Sequence, residues 1–502
     1  MNKIYLSFVC IFCFLSNLKS QYDASLIEFK TGEAEKEKFG NVAAQLFHLD
    51  DGTILELSKE MVKGDFSFRL YDSKLNLKDK FTLDAEDVLE DEATEGKISF
   101  KFIRQIRQNI HIFYTVKSDD NIRLLSRAFD PKKKSFTRSS KEVLRKPVMK
   151  NSRKLTFEYS SSSNQKRHLI TIYETRRSGL QTAFHYLLTE DLRTIKEAKL
   201  SSVSRDLVYN YLSSAVSNDG TIISNAFIID LEADSEMGEM PFMPLDIQVL
   251  KFEESTPNTI AIDIEGQQLN DMVMRFVADE SEILVAGLYK EPSKTNSLGT
   301  FIARYNVQDL SPVVESLEEY SDDLKSDMFE GYVEEGDDDP GLIAQKLVGL
   351  QQDKSGNYYF IIETGTRYVS RGVSVIKIAA DGYPLWDRHI LRSVNGLNDY
   401  KFNANLKLFG VLGDDELHLF VNQAPEFKAL KTDMNTAYSG KYKTNLMHYV
   451  ISDSGDRTYR ELLNYEEAGN ALLNCYAKKD NTYYFKAGGS IRKARLFRIS
   501  FQ

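Results

Sequence analysis

Apolar and aromatic residues fall in short runs along this chain, and each run is introduced by turn formers such as Asp, Asn, Gly and Ser. This is the pattern of β-strands entered from tight turns: Gly, Asn and Asp accept turn backbones, while β-branched and aromatic side chains suit a pleated strand. One version is Asp51-Gly52-Thr53-Ile54-Leu55-Glu56-Leu57, and equivalent runs open at Gln108, Lys166, Asn218, Glu280, Ser355, Asp414 and Lys479. That makes eight copies, roughly 60 residues apart. A second landmark follows the copies, a strand that ends in a turn and returns, as in Arg69-Leu70-Tyr71-Asp72-Ser73 and Tyr449-Val450-Ile451-Ser452-Asp453. The eighth version, Phe497-Arg498-Ile499-Ser500-Phe501, has no returning strand after it.

Two landmarks per repeat predict four antiparallel strands per repeat, and therefore an all-β fold in which each small sheet buries its faces on its neighbours. An open array would leave the last sheet with an uncovered face and an unprotected edge, so a closed ring is expected. Eight four-stranded blades over residues 21–502 is the favoured count, with seven blades and one irregular insertion as the alternative. The segment Ala24-Ser25-Leu26-Ile27-Glu28-Phe29 is strand-like and has no sister strands before the first repeat, so it is expected to complete the last blade. This arrangement resembles the strand-exchange closure of the β-propeller superfamily. The resemblance is architectural, covers nearly all of the chain after residue 20, and implies a rigid disc with loops on two faces.

With four strands per blade, connections from second to third strand and from one blade to the next share a face. The long insertions, 84–97, 141–154, 230–244, 311–341 and 422–443, fall on that face, which is expected to be the working surface because rigid scaffolds concentrate binding on long loops. Two of these segments are distinctive. Residues 315–339 hold twelve acidic residues against one lysine, Lys325, yet interleave Tyr320, Met328, Phe329 and Tyr332, so the segment reads either as a solvated acidic loop or as one that orders on a basic partner. Residues 236–244 place Met237, Met240, Phe242 and Met243 close together before Pro244, either as an adaptable contact loop or folded back on their own blade. A contrasting basic loop over 141–154 reads either as a contact for an acidic partner or as a neutraliser of neighbouring 84–95, and neither role is assigned to it.

The first twenty residues place the chain outside the cytoplasm: Lys3 precedes an apolar stretch, Ile4 to Leu15, and small polar residues suit cleavage before Gln21. The apolar run is shorter than the roughly 20 residues of a spanning helix. Cys10 and Cys13 would leave with that leader, so the mature chain keeps Cys475 alone and cannot rely on an internal disulfide. A formal net charge of -10 disfavours nucleic acid and anionic membranes as partners.

No HExxH, GxSxG, P-loop or dinucleotide fingerprint occurs, so the usual signals for zinc proteolysis, serine hydrolysis and nucleotide binding are missing, and no catalytic, cofactor or metal residue is assigned. Ser452-Asp453-Ser454-Gly455-Asp456 looks like a nucleophile loop but sits at a repeated turn. His111, His168 and His418 fall in equivalent strands, where packing is the expected role. Asp381-Gly382-Tyr383-Pro384-Leu385-Trp386 resembles a quinoprotein-type turn, but it occurs once. The expected function is a non-enzymatic protein-interaction module of the periplasm, secreted and outer-membrane-associated forms being the alternatives. Its overall look resembles propellers that accompany outer-membrane transport or type IX secretion machinery, which implies an envelope protein, a channel or a translocon, as partner and a plugging or gating role. The competing class is a glycan-binding lectin or hydrolase with a carboxylate-lined central funnel.

Overall fold

The computed structural model describes residues 26–501 apart from 37–44, 60–63, 91–95, 119, 149–151, 178–180, 202–206, 231–243, 263, 265, 293, 295, 330–343, 366–368, 396–407, 414–415, 424–443, 465–469 and 489–492. Every repeat is an antiparallel sheet whose strands pair in sequence order. Blades 1 to 7 occupy residues 45–83, 97–147, 152–201, 207–262, 268–319, 344–395 and 409–463. Blade 8 takes three strands from the C-terminal end, Asn470–Lys479, Thr482–Gly488 and Lys493–Phe501, and its outermost strand, Ile27–Thr31, from the N-terminal end. The expected closure is therefore observed, with Ile27 opposite Phe501 and Thr31 opposite Phe497. Gly32 follows at once, and it must be glycine: a Cβ there would lie 2.1 Å from the Leu75 carbonyl oxygen of blade 1.

First strands of neighbouring blades touch one another, by close backbone approach at five seams including that of blades 1 and 8, and through Gln105 with His48, Phe102 with Tyr159 and Phe409 with Tyr476 at the other three, so these strands surround the axis and the ring is closed. Second and third strands are covered on both faces and read as continuous apolar runs, as in Glu282–Lys290, where all but the first residue are buried. Outermost strands alternate instead, as Leu77–Leu83 does, because one face meets water. Apolar clusters span the seams. Phe68 of blade 1 stacks on Phe129 of blade 2 at 4.7 Å between centroids, within one cluster of buried side chains from both blades.

Each seam also carries a polar latch, buried or half-buried everywhere but between blades 4 and 5, where it is exposed. Lys486 of blade 8 donates to Glu56 of blade 1 at 2.7 Å, and Glu56 also accepts from Arg69 and Tyr71; Glu56 and Lys486 are 1% and 3% exposed. Arg127 of blade 2 donates to the carbonyls of Asp87, Val88 and Glu90, which end the short helix Ala85–Leu89 leaving blade 1. Lys146 of blade 2 meets Glu174 of blade 3, and Lys196 of blade 3 donates at 2.7 Å to three carbonyls of blade 4, those of Lys251, Phe252 and Glu254. Lys251 in turn reaches Gln308 of blade 5, Arg304 of blade 5 reaches Ala380 of blade 6, and Lys377 of blade 6 pairs with Asp453 of blade 7. At the last seam the Asn422 side-chain amide of blade 7 exchanges two hydrogen bonds with the backbone of Ala471 in blade 8.

Two expected loops are corrected. Lys141–Pro147 is the outer strand of blade 2, bonded to Asn121–Asp130, and its Lys146 is buried against Glu174 rather than offered to 84–95. Pro312–Glu319, inside the expected acidic loop, is the outermost strand of blade 5, and the helix Asp322–Phe329 follows it. Both outer strands carry charges on their wet face, which hides the strand in a scan for apolar runs.

The Glu56 cluster gives a test of closure. Replacing Glu56 by Ala leaves Lys486 and Arg69 buried without their anion, a change of the kind that costs about 3–5 kcal/mol. Urea unfolding of Glu56→Ala should show that loss, and a loss under about 1 kcal/mol would mean the seam does not depend on the cluster. The Glu56 carboxyl is opposed by its burial, which Lys486 and Arg69 outweigh, so its pKa lies below the ordinary value. Its contribution is therefore complete above the normal glutamate range near about 4.3 and is lost as pH falls below it.

Candidate functional site

Strand bounds place every long connection on one face of the ring. Links 84–96, 231–244, 320–343, 396–408 and 424–444 all join a second to a third strand or one blade to the next, while on the opposite face the longest is 131–140, which carries the two-residue strand Ser135–Phe136. Of the apolar contact candidates on this face, Met237, Met240, Phe242, Met243 and Tyr332 lie outside the described residues, as do the leader residues 1–20. Phe329 ends the helix Asp322–Phe329.

Tyr320 and Met328 are not exposed contacts. They are 4% and 2% exposed, and with Leu324 they join a cluster containing Leu347, Tyr358 and Ile376 of blade 6. Leu324 and Met328, four residues apart, lie on one side of the helix and Tyr320 just precedes it, so the segment is a strap that buries its apolar side and turns Asp322, Asp323 and Asp327 outward. Ser321 fixes its start: the Leu324 amide donates to Ser321 Oγ at 3.0 Å, and that hydroxyl donates to Asp387 of blade 6 at 2.8 Å. Beside the strap, Val313 and Leu317 are 45% and 39% exposed on the outermost strand of blade 5, alternating with Glu315 and Glu319. The result is an acidic surface with apolar residues between the charges.

A cleft of about 440 Å³ opens on the same face between blades 1 and 2, lined by Lys59, Glu86, Leu89, Glu90, Ile98 and Phe100. Lys59 Nζ lies 4.9 Å from the Phe100 ring centre and 5.6 Å from that of Phe66. Burial lowers its pKa.

Around the axis the charge reverses. The innermost strands hold three Lys or Arg in blade 2, two in blade 3, one each in blades 5 and 6 and two in blade 8, against two carboxylates, Glu158 and Asp271. Glu158 accepts from Tyr173 at 2.6 Å, and burial raises its pKa above the ordinary value, while Asp271 accepts the backbone amides of Leu347 and Met272. The carboxylate-lined funnel required by the competing lectin or hydrolase reading is thus not what these strands present.

The histidines are packed into the blades. His111 is 2.9 Å from Ser126, His168 is 2.7 Å from the Tyr159 hydroxyl, and His418 Nδ1 is 3.0 Å from His448 Nε2, itself stacked on Phe420. Trp386 donates its indole N–H to the Asp453 carbonyl of blade 7, a seam contact. Residues 452–456 form the expected turn: the Asp456 amide donates to Ser452 Oγ, and Gly455 has φ +85°. No cluster of three or more potential metal ligands occurs among the described residues, and no described helix is long and apolar enough to cross a membrane.

The fold defines the chain as an eight-bladed β-propeller. No family model and no curated protein sequence matches it. Similar solved structures include the WD40 domain of SCAP from fission yeast, with 8% identity over 96% of this chain and 97% of that one at a TM-score of 0.42. Another is the β-propeller domain of the Trilobed protease from Pyrococcus furiosus, with 11% identity over 86% and 98% at 0.36. A third is the Nup133 β-propeller domain of Vanderwaltozyma polyspora, with 9% identity over 81% and 100% at 0.38. The blade count and the closure rest on the strand pairing, not on these likenesses.

The buried histidines set a pH dependence. Burial holds His111, His389 and His418 down at about 4, His185 at about 3, and His448 at about 2 with His418 and Arg460 adding to the effect. The unfolded chain takes up these protons near pH 6.5 while the folded chain does not, so stability is complete above about 6.5 and falls below it, by ~1.4 kcal/mol per pH unit for each histidine. Urea midpoints should drop steeply between about pH 6.5 and 5. A flat profile there would mean these side chains are hydrated in the native protein.

Proposed function

We propose that this propeller is an exported, non-enzymatic docking subunit of the periplasm, accessory to or gating an outer-membrane transport or secretion assembly, and that it binds an envelope protein through its long-connection face. The observation that carries this reading is the asymmetry of the disc: one face has short turns, while the other gathers all the long links and an acidic strap held rigidly by Tyr320, Leu324 and Met328. Rigid presentation of charge favours partner selection and approach rate. The leader at residues 1–20 supports export, and Met237, Met240, Phe242 and Met243 remain contact candidates on that face.

The apolar side of the strap is core, so a useful variant changes the outward charges alone. A tagged chromosomal copy, extracted in mild detergent, should co-purify a stoichiometric outer-membrane protein identified by mass spectrometry. The triple substitution Asp322→Asn, Asp323→Asn, Asp327→Asn should leave stability within about 0.5 kcal/mol and reduce that recovery, as should deletion of 236–244. Recovery of the wild type as a lone soluble monomer would sink the docking reading. By contrast, Leu324→Ala should cost about 2–5 kcal/mol by opening a cavity under the strap, measurable by thermal or urea unfolding.

A further inference from the structure

The innermost strand of blade 2, Lys97–Ile106, pairs on one side only, with Asn109–Lys117, so its other backbone edge is free toward the axis. Its register slips between Phe100 and Phe102, making Lys101 the extra residue of a β-bulge, a device that re-aims a side chain and interrupts the strand. Lys101 Nζ sits 5.1 Å from the ring centre of Phe157 in blade 3, and the Arg104 guanidinium sits 5.3 Å from that of Tyr159 and 5.4 Å from that of Phe102. Their polar contacts are slight: Lys101 with Ser99 Oγ at 3.2 Å, and Arg104 with the carbonyl of its neighbour Ile103 at 2.8 Å. No carboxylate pairs with either among the described residues, in contrast to the carboxylate-paired cations Lys146, Lys377 and Lys486. Glu158 lies between Phe157 and Tyr159 in sequence, so its side chain leaves from the opposite face of the strand, where it is bound to Tyr173. Both cations are partly removed from water, which lowers the pKa of each, and neither gains an anion for it.

We propose that the seam between the innermost strands of blades 2 and 3 is an anion-binding site that takes the carboxylates of an acidic, extended polypeptide segment entering the central channel. The cation and aromatic ladder supplies the charge complement, and the free edge of Lys97–Ile106 supplies backbone groups that an extended peptide can pair and a sugar chain cannot match in register. This rests on the docking reading in supposing a protein partner, but it concerns the channel and not the strap.

The probe is a fluorescein-labelled oligoglutamate peptide, its binding to the full mature chain followed by anisotropy at physiological and at low salt. Lys101→Gln with Arg104→Gln should weaken binding by about tenfold or more. Lys132→Gln with Lys133→Gln, which removes two exposed charges at the rim of the same blade, should change it by less than about twofold. The exchange Lys101→Arg with Arg104→Lys keeps the charge and should retain most of the affinity, so a fold defect is separated from a lost site by comparing urea midpoints of both pairs. Equal losses in the rim variant, or no measurable binding by the wild type, would overturn the site. Oligogalacturonate of equal charge binding as tightly, with the same dependence on Lys101 and Arg104, would overturn the assignment to a peptide. Because the strap variant leaves this seam intact, failure of partner recovery and failure of oligoglutamate binding are separate results.

Discussion

Closure of the ring is the constraint on which everything else rests. Each blade has two faces to cover, and only a closed circle covers both for every blade without leaving an edge exposed. The final connection joins residues more than four hundred positions apart, Ile27 with Phe501 and Glu56 with Lys486. The entropy of closing such a loop grows only logarithmically with its length, so the distance in sequence is tolerable once the ends are ordered. What the seam must supply is specificity of docking, and it does so with an apolar cluster that sets Leu46, Ile54 and Tyr71 against Ala477, Tyr484 and Leu496, and with a buried anion that fits Lys486 and Arg69.

The latches show two solutions to burying a cation. At three seams a carboxylate answers it: Glu56, Glu174 and Asp453. At others, backbone carbonyls with no intrahelical or ladder partner do, as when Lys196 takes three from one turn and Arg127 takes three from the end of a short helix. The second solution satisfies both sides at once, giving a donor to carbonyls such as those of Phe252 and Val88, while the Lys251 carbonyl also accepts the Glu254 amide. It also holds the turns of one blade against the next, and so makes the disc rigid enough to present loops in fixed positions.

The eight repeats, the four-stranded blades and the closing strand were legible because turn residues and apolar runs alternate wherever a strand is covered on both faces. The outermost strands Lys141–Pro147 and Pro312–Glu319 were not, because their wet face carries charge and their covered face offers few apolar positions. In the acidic segment, Tyr320, Leu324 and Met328 have helical spacing that could have been read, but twelve carboxylates dominate its composition and suggested solvent on all sides. Tyr320 and Met328 were therefore placed at a partner surface when they hold the strap to blade 6. The cations of the innermost strands were missed for a different reason: nothing in local sequence marks which strand of a blade faces the axis until the blade order is known.

That charge distribution has a consequence for the whole molecule. The chain carries a formal charge of -10, yet its axis is cationic and its strap is acidic. Field lines in a narrow passage with low-dielectric walls are focused rather than screened, so a few cations there act on an entering anion more strongly than the same number on the rim. An acidic outer surface repels a polyanion from non-productive sites, leaving the axis as the favourable place for it. Aromatic faces attract Lys101 and Arg104 where no carboxylate does, an interaction that stabilises a cation while leaving its charge uncancelled. Pairing them with an internal carboxylate would have stabilised the fold equally well but would have neutralised the axis.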